Sequence, residues 1–131
     1  MEDEFGGEII GHVKIIFSDK ATTVTLPAYE GNMGVMSNHI PIITFLRPGI
    51  IKILKKDGNF LEFFVQDGIT EYFNQSLAVL STSVVNVKDA SKDFLNDLNK
   101  KTLDKLSLKS ITDHDRYLLN HKLDTLKEMG V

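Results

Sequence analysis

Residues 26–49 read Leu-Pro-Ala-Tyr-Glu-Gly-Asn-Met-Gly-Val-Met-Ser-Asn-His-Ile-Pro-Ile-Ile-Thr-Phe-Leu-Arg-Pro-Gly and hold all three prolines of the chain. Gly31 and Gly34 permit a positive φ or a close backbone approach, while Pro41 and Pro48 fix φ and exclude a helix. The stretch must therefore be short strands joined by sharply shaped loops. Outward from it the same texture continues from Glu8 to Val87. The runs Glu8–Phe17, Ala21–Leu26, Gly34–Met36, Ile42–Leu46, Ile50–Leu54, Phe60–Val65, Ile69–Phe73, Leu77–Ser81 and Val84–Val87 are rich in β-branched and aromatic residues and are separated by turn formers. Lys56-Asp57-Gly58-Asn59 reads as a hairpin turn, with Gln66-Asp67-Gly68 and Asn74-Gln75-Ser76 as further turns. The pattern predicts an N-terminal all-β sandwich of about ten short strands over residues 1–87. Thr23–Leu26 alternates and predicts one buried face. Ile50–Leu54 is apolar nearly throughout and predicts a central strand, and Phe60, Phe63 and Phe64 read as core.

After Val87 the period changes. Asp89 to about Leu106 reads as a helix with Phe94, Leu95, Leu98, Leu103 and Leu106 on one broad side, and Asp89 or Ser91 can cap it. A loop at Ser107–Ile111 follows. Thr112-Asp113-His114-Asp115 then has the form of a capping box and opens a second helix to about Met129, striped by Leu119, Leu123 and Leu126. Residues 88–131 are thus predicted to be an antiparallel α-helical hairpin. Each helix has one apolar stripe, so the pair must lie on each other and on something else. A few buried leucines, at roughly 1.5–3 kcal/mol each, make a docked appendage that can still be displaced.

Composition narrows function by exclusion. The 131 residues are 42% hydrophobic, which suffices for a compact core. There is no cysteine, hence no disulfide scaffold, thiolate metal site or cysteine nucleophile. No apolar run approaches the roughly 20 residues of a membrane span, and the acidic start Met1-Glu2-Asp3-Glu4 is the reverse of a secretory or transit leader. A soluble, bacterial cytoplasmic protein is the expectation. Net charge is −3, concentrated as −4 over residues 1–87 against +1 over residues 88–131, which argues against a nucleic-acid surface.

The candidate chemistry is thin. His12, His39, His114 and His121 are the titratable candidates, but His114 and His121 stand seven apart on one helix, about 10 Å along the axis, too far for one ion. No metal site is expected. Asp113 and Asp115 flank His114, yet acids in a first helical turn are expected from the helix dipole. No Gly-x-Ser-x-Gly, Walker or dinucleotide motif occurs, so no catalytic residue is assigned. Lys88, Lys92, Lys100, Lys101, Lys105 and Lys109 interleave with acids and read as a solvated helix face that can meet an acidic protein surface.

The 26–49 stretch resembles the signature of the ε subunit of rotary ATP synthases, Pro-x-x-Glu-Gly-x-x-Gly-Val/Ile-x-x-x-His-x-Pro-Leu/Ile-x-Thr-x-Leu/Ile-x-Pro-Gly. It is met at Pro27, Glu30, Gly31, Gly34, Val35, His39, Pro41, Ile42, Thr44, Leu46, Pro48 and Gly49. Phe17-Ser18-Asp19, Val24-Thr25, Ile51-Lys52-Ile53 and Gly68-Ile69-x-Glu71 are also similar, and the sandwich-plus-hairpin order agrees. The resemblance implies a non-catalytic central-stalk rotor subunit, peripheral at the cytoplasmic face of the bacterial inner membrane. Its implied partners are the γ subunit, the c-ring and, transiently, the α/β catalytic hexamer, whose ATP hydrolysis the hairpin can inhibit by extending along γ. It places Glu30, Asn32, Met33, His39 and Pro41 as c-ring and γ interface candidates, and Lys92, Lys100, Lys101 and Arg116 as regulatory helix candidates. Asn32 replaces a frequent acidic residue, and Gly11-His12-Val13 stands where relatives have Thr-Pro-Glu. Some relatives bind ATP at the hairpin through Ile/Leu-Asp-x-x-Arg-Ala. Here Val87-Lys88-Asp89-Ala90-Ser91-Lys92-Asp93 lacks the Arg-Ala, and a lysine lacks the planar fork of arginine. No cofactor is expected.

The rival reading is a small nucleic-acid-binding β-barrel, which would need exposed aromatics interleaved with basic residues. A small-molecule enzyme ranks behind it, for want of a motif.

Overall fold

In a computed structural model, residues 3–11 and 15–131 are described, and alternation organises the first 86 of the chain into ten strands. These are β1 (Phe5–Ile10), β2 (Ile15–Ala21), β3 (Thr23–Ala28), β4 (Gly31–Met36), β5 (Ile42–Leu46), β6 (Gly49–Leu54), β7 (Phe60–Val65), β8 (Gly68–Phe73), β9 (Ser76–Leu80) and β10 (Val84–Asn86). The sheet runs β10-β7-β6-β3-β5-β8-β9-β1-β2, with β4 also paired to β3. Strands β3 and β5 share only the Ala28–Leu46 pair. At that weak seam the sheet folds over into two layers, β10-β7-β6-β3-β4 and β5-β8-β9-β1-β2. All described pairings are antiparallel except β1 with β9, which is parallel.

Inward residues of both layers meet in one core that includes Phe5, Ile9, Leu26, Val35, Leu46, Ile51, Ile53, Phe63, Val65, Tyr72, Leu77 and Val79. Phe5 meets Tyr72 edge-on at 5.6 Å, a favoured aromatic geometry. The buried Thr70 donates its hydroxyl to the Ala78 carbonyl at 3.1 Å, so its burial leaves no unpaired oxygen. At the rim, Lys55 Nζ pairs with Asp19 Oδ2 at 2.7 Å, each lowering or raising the other's pKa toward the charged form.

Three expectations are revised. The run Glu8–Phe17 is two strands, β1 and β2, not one. The predicted departure at Gly11-His12-Val13, with the candidate His12, falls largely outside the described residues. Strand β6 is central, between β3 and β7, but alternates: Ile51 and Ile53 point in, while Lys52 and Leu54 are exposed. Phe60 is not core. It is half exposed, with the Lys52 ammonium 4.8 Å above its ring, where the cation meets the negative π face without leaving water.

A 3-10 turn (Val87–Asp89) leads into α1 (Lys92–Leu106) and α2 (Asp113–Glu128). Ser91 caps α1, accepting from the Phe94 N–H, and Thr112 and Asp115 form the reciprocal capping box of α2. The hairpin lies on the outer face of the first layer. There Phe64, one residue beyond the inward Phe63, packs with Leu95 and Leu126, and Val87, Ala90, Leu98 and Met129 rim the cluster. The buried stripe of α1 is narrower than predicted, because Phe94 and Leu103 are exposed. Thr102 and Thr125 are buried instead, each donating its hydroxyl to the carbonyl four residues back, Leu98 and His121, at 2.7 and 2.8 Å.

Candidate interaction surfaces

The signature stretch occupies both ends of strand β4. Tyr29 and Glu30 form the β3–β4 turn, and Gly31, at a φ of 134°, opens β4 ahead of Asn32 and Met33. His39 and Pro41 lie in the loop beyond its far end. From Asn32 to Met36 the strand rises about 13 Å before the loop of His39 and Pro41 begins, so the five candidates fall toward the two ends of β4. Glu30, Asn32 and Pro41 are exposed; Met33 and His39 are half-buried. His39 stacks edge-on against Tyr72 at 5.6 Å, and its Nδ1 lies 2.6 Å from the Ile40 carbonyl, which requires the hydrogen on Nδ1. Asn32 Oδ1 accepts from Arg47 at 3.2 Å, and Arg47 also donates to the Pro48 carbonyl at 2.9 Å.

The two signature glycines that flank this region differ in kind. A Cβ on Gly49 would lie 2.4 Å from Pro27 Cβ, so the fold itself demands glycine there. A Cβ on Gly34 would meet nothing within 4 Å. With exposed Asn32 and Met36 on the same side of an edge strand, Gly34 leaves a flat surface that the chain does not use.

The sequence reading missed an exposed apolar surface. On the outer side of the second layer, β5 presents Ile43 and Phe45, at 67% and 62% exposure, and β8 presents Ile69 and Phe73, the latter at 61%. Cross-strand pairing sets Phe45 beside Ile69 and Ile69 beside Leu80, and puts the exposed Glu71 opposite Ile43, so the apolar side chains surround one carboxylate. The patch runs on through Pro41 to Ile40, which is 72% exposed. The hairpin covers the other layer and leaves this one bare. The signal was present in the alternation Ile42-Ile43-Thr44-Phe45-Leu46, which puts large apolar groups on both faces of one strand.

The hairpin is latched to the β3–β4 turn at the opposite corner. The Tyr117 hydroxyl donates to the Tyr29 carbonyl, and the Tyr29 ring lies 6.0 Å from the rings of both Tyr117 and His114. His121 packs edge-on against Tyr117 at 4.5 Å. Burial, then the Arg47 guanidinium, lowers its pKa below 6.5, only partly countered by Asp124. Lys122 is likewise lowered by burial and then by Lys105, in the cleft between hairpin and sandwich. Asp115 serves as a cap rather than as a base beside His114. Among the described residues no three His, Asp or Glu side chains gather as a metal-holding group. The regulatory candidates do not converge either: Lys92 opens α1 and Arg116 opens α2, at opposite ends of an antiparallel pair, while Lys101 pairs with Asp97 at 2.9 Å.

The β-sandwich domain of the ATP synthase delta/epsilon chain matches residues 5–87. A Pelagibacter ubique ATP synthase epsilon chain is 42% identical over 131 residues, covering 99% of this chain and 100% of that one. The chain belongs to the ATP synthase delta/epsilon family. A Rhizobium johnstonii epsilon chain is 27% identical, with 100% and 97% covered. Among solved structures, a chain of the Euglena gracilis mitochondrial ATP synthase superposes with a TM-score of 0.75 at 16% identity, covering 97% of this chain and 79% of that one. A Tetrahymena thermophila central-stalk and c-ring structure gives 0.62 at 11%, with 96% of each covered. The epsilon chain is an accessory subunit of the rotary complex and not a catalytic one, and nothing supports the nucleic-acid-binding alternative. No described helix is long and apolar enough to cross a membrane.

Proposed function

We propose that this epsilon chain couples the γ subunit to the c-ring as the foot of the rotor, at the cytoplasmic face of the bacterial inner membrane. Residues 1–87 are the rigid coupling unit and residues 88–131 a releasable brake. The observation that carries this reading is the bare apolar face of the second layer, Ile43, Phe45, Ile69 and Phe73. Exposed apolar side chains gathered around a single carboxylate, Glu71, are the mark of a protein interface. We assign it, with His39 and Pro41 at its edge, to γ. Glu30, Asn32 and Met33, at the far end of β4, face the polar loops of the c-ring. A solved chain of the same fold comes from a structure titled as a central stalk and c-ring, the kind of assembly this reading calls for. Lys92, Lys100, Lys101 and Arg116 are left to meet the acidic surfaces of the α/β hexamer once the hairpin extends.

Copurification tests the assignment. A chain carrying Ile43→Asp and Phe73→Asp should fold yet fail to capture γ, whereas Glu30→Lys should keep γ and weaken retention of the c-ring. Normal capture of γ by the double variant would sink the assignment. Deleting residues 88–131 should preserve assembly and raise ATP hydrolysis by the complex; unchanged hydrolysis would argue against the brake.

A further inference from the structure

The β8–β9 turn is built from two residues in the left-handed region, Asn74 at φ 49° and Gln75 at φ 61°. A two-residue turn of this hand favours Asn followed by Gly, because the second position is costly for any residue with a side chain. Here Gln stands in the glycine position, and its side chain does what glycine cannot. Its Oε1 accepts from the Asn38 N–H at 2.6 Å and from the Tyr72 hydroxyl at 2.7 Å, and its Nε2 donates to Ser37 Oγ at 2.8 Å. A backbone N–H can only donate, so the amide orientation is fixed by the contact with Asn38. The Gln75 carbonyl accepts in turn from the Gly6 N–H at 3.1 Å.

One residue of the second layer thus ties down the β4–β5 loop that joins the two layers. That loop has its own left-handed residue, Asn38 at φ 67°, and it ends in the exposed Ile40 and Pro41. Pro41 shares a depression with Ile43 and Phe73, so the position of the loop decides whether the apolar face continues onto it. We propose that Gln75 is a positioning residue for γ docking: it holds Ser37–Pro41 beside the β5–β8 face, so that loop and sheet meet the partner as one preformed surface. This rests on the assignment of that face to γ. Ordering the loop in advance removes an entropic cost from association, so losing the clamp weakens the complex without unfolding the chain.

Two variants separate the clamp from the turn. Gln75→Asn keeps a residue that tolerates positive φ but is one methylene too short to span the gap, and Gln75→Gly relaxes the backbone while removing the side chain. In the full-length chain, both should speed amide exchange at Asn38 by about tenfold or more while exchange in the core of β3, β6 and β9 is unchanged. Affinity for the isolated γ subunit of the same synthase should fall by about tenfold, mainly through faster dissociation. Unchanged exchange at Asn38 would overturn the clamp. Faster exchange with unaltered γ affinity would overturn its part in docking. A wild-type chain that does not bind γ would overturn the assignment of the face, and the proposal with it.

Discussion

Phe63 and Phe64 are neighbours in strand β7, yet they face two different kinds of interior. Phe63 enters a core that, among the described residues, has fourteen buried members drawn from both layers of the sandwich. Phe64 enters a cluster of three, shared with Leu95 and Leu126 of the hairpin. Each buried side chain contributes roughly 1.5–3 kcal/mol before ordering entropy is subtracted, so the first interior holds a stiff body and the second a contact that can be undone. The proposed division into a rigid coupling unit and a releasable brake needs both.

The contrast can be broken, first, at its stiff side. Gly49→Ala drives a Cβ to within 2.4 Å of Pro27 Cβ and 3.0 Å of Arg47 Nη1, next to the seam between layers. It should cost the sandwich about 3 kcal/mol in urea unfolding, whereas Gly34→Ala should cost close to nothing. Equal effects at the two glycines would mean that the seam is not packed as described.

Leu126→Ala attacks the other interior, and should remove about 2–4 kcal/mol, shared between docking on Phe64 and packing against Leu95 of α1. Amide exchange would then rise along α1 and α2 while β6 and β7 stay protected. If strands and helices lost protection together, the chain would be one cooperative body and the distinction would fail. Tyr117→Phe deletes only the hydroxyl that holds Tyr29, and should loosen the hairpin by about 1 kcal/mol in the same measurement.

The smallest effect is that of pH. Burial and Arg47 depress the His121 pKa in the docked state, so docking favours the neutral ring. Its contribution is complete above the ordinary value of 6.5 and is lost as pH falls through the lowered one. Because the chain has no cysteine, Gly34→Cys and Lys127→Cys give two unique labelling positions. Energy transfer between them should fall on acidification from neutral pH, and His121→Gln should flatten the response.

Much of this architecture could be read from the residues. Turn formers at Gly58 and Asn74, the Ser91 cap and the Thr112 capping box each act within a few positions, and each stands where the sequence put it. The signature from Pro27 to Gly49 located the candidate edge for the same reason. What could not be read depends on the third dimension. Local pattern made Phe60 core, but Lys52 on the neighbouring strand lets it stay in water. Nothing local says that Ile43 and Phe45 go uncovered, because that depends on which layer the hairpin chooses. Nor can spacing say that Gln75 reaches a loop 37 positions earlier.

The parallel pairing of β1 with β9 sets the order in which the molecule can be made. Phe5 and Ile9 emerge from the ribosome some seventy residues before the strand that completes their sheet, Ser76–Leu80. Closing so long a loop is slow relative to hairpins and helices, and until it closes the inward face of β1 has only β2 beside it. The nascent sandwich therefore stays open until β9 arrives, and the helices, made after it, find a finished wall to settle on.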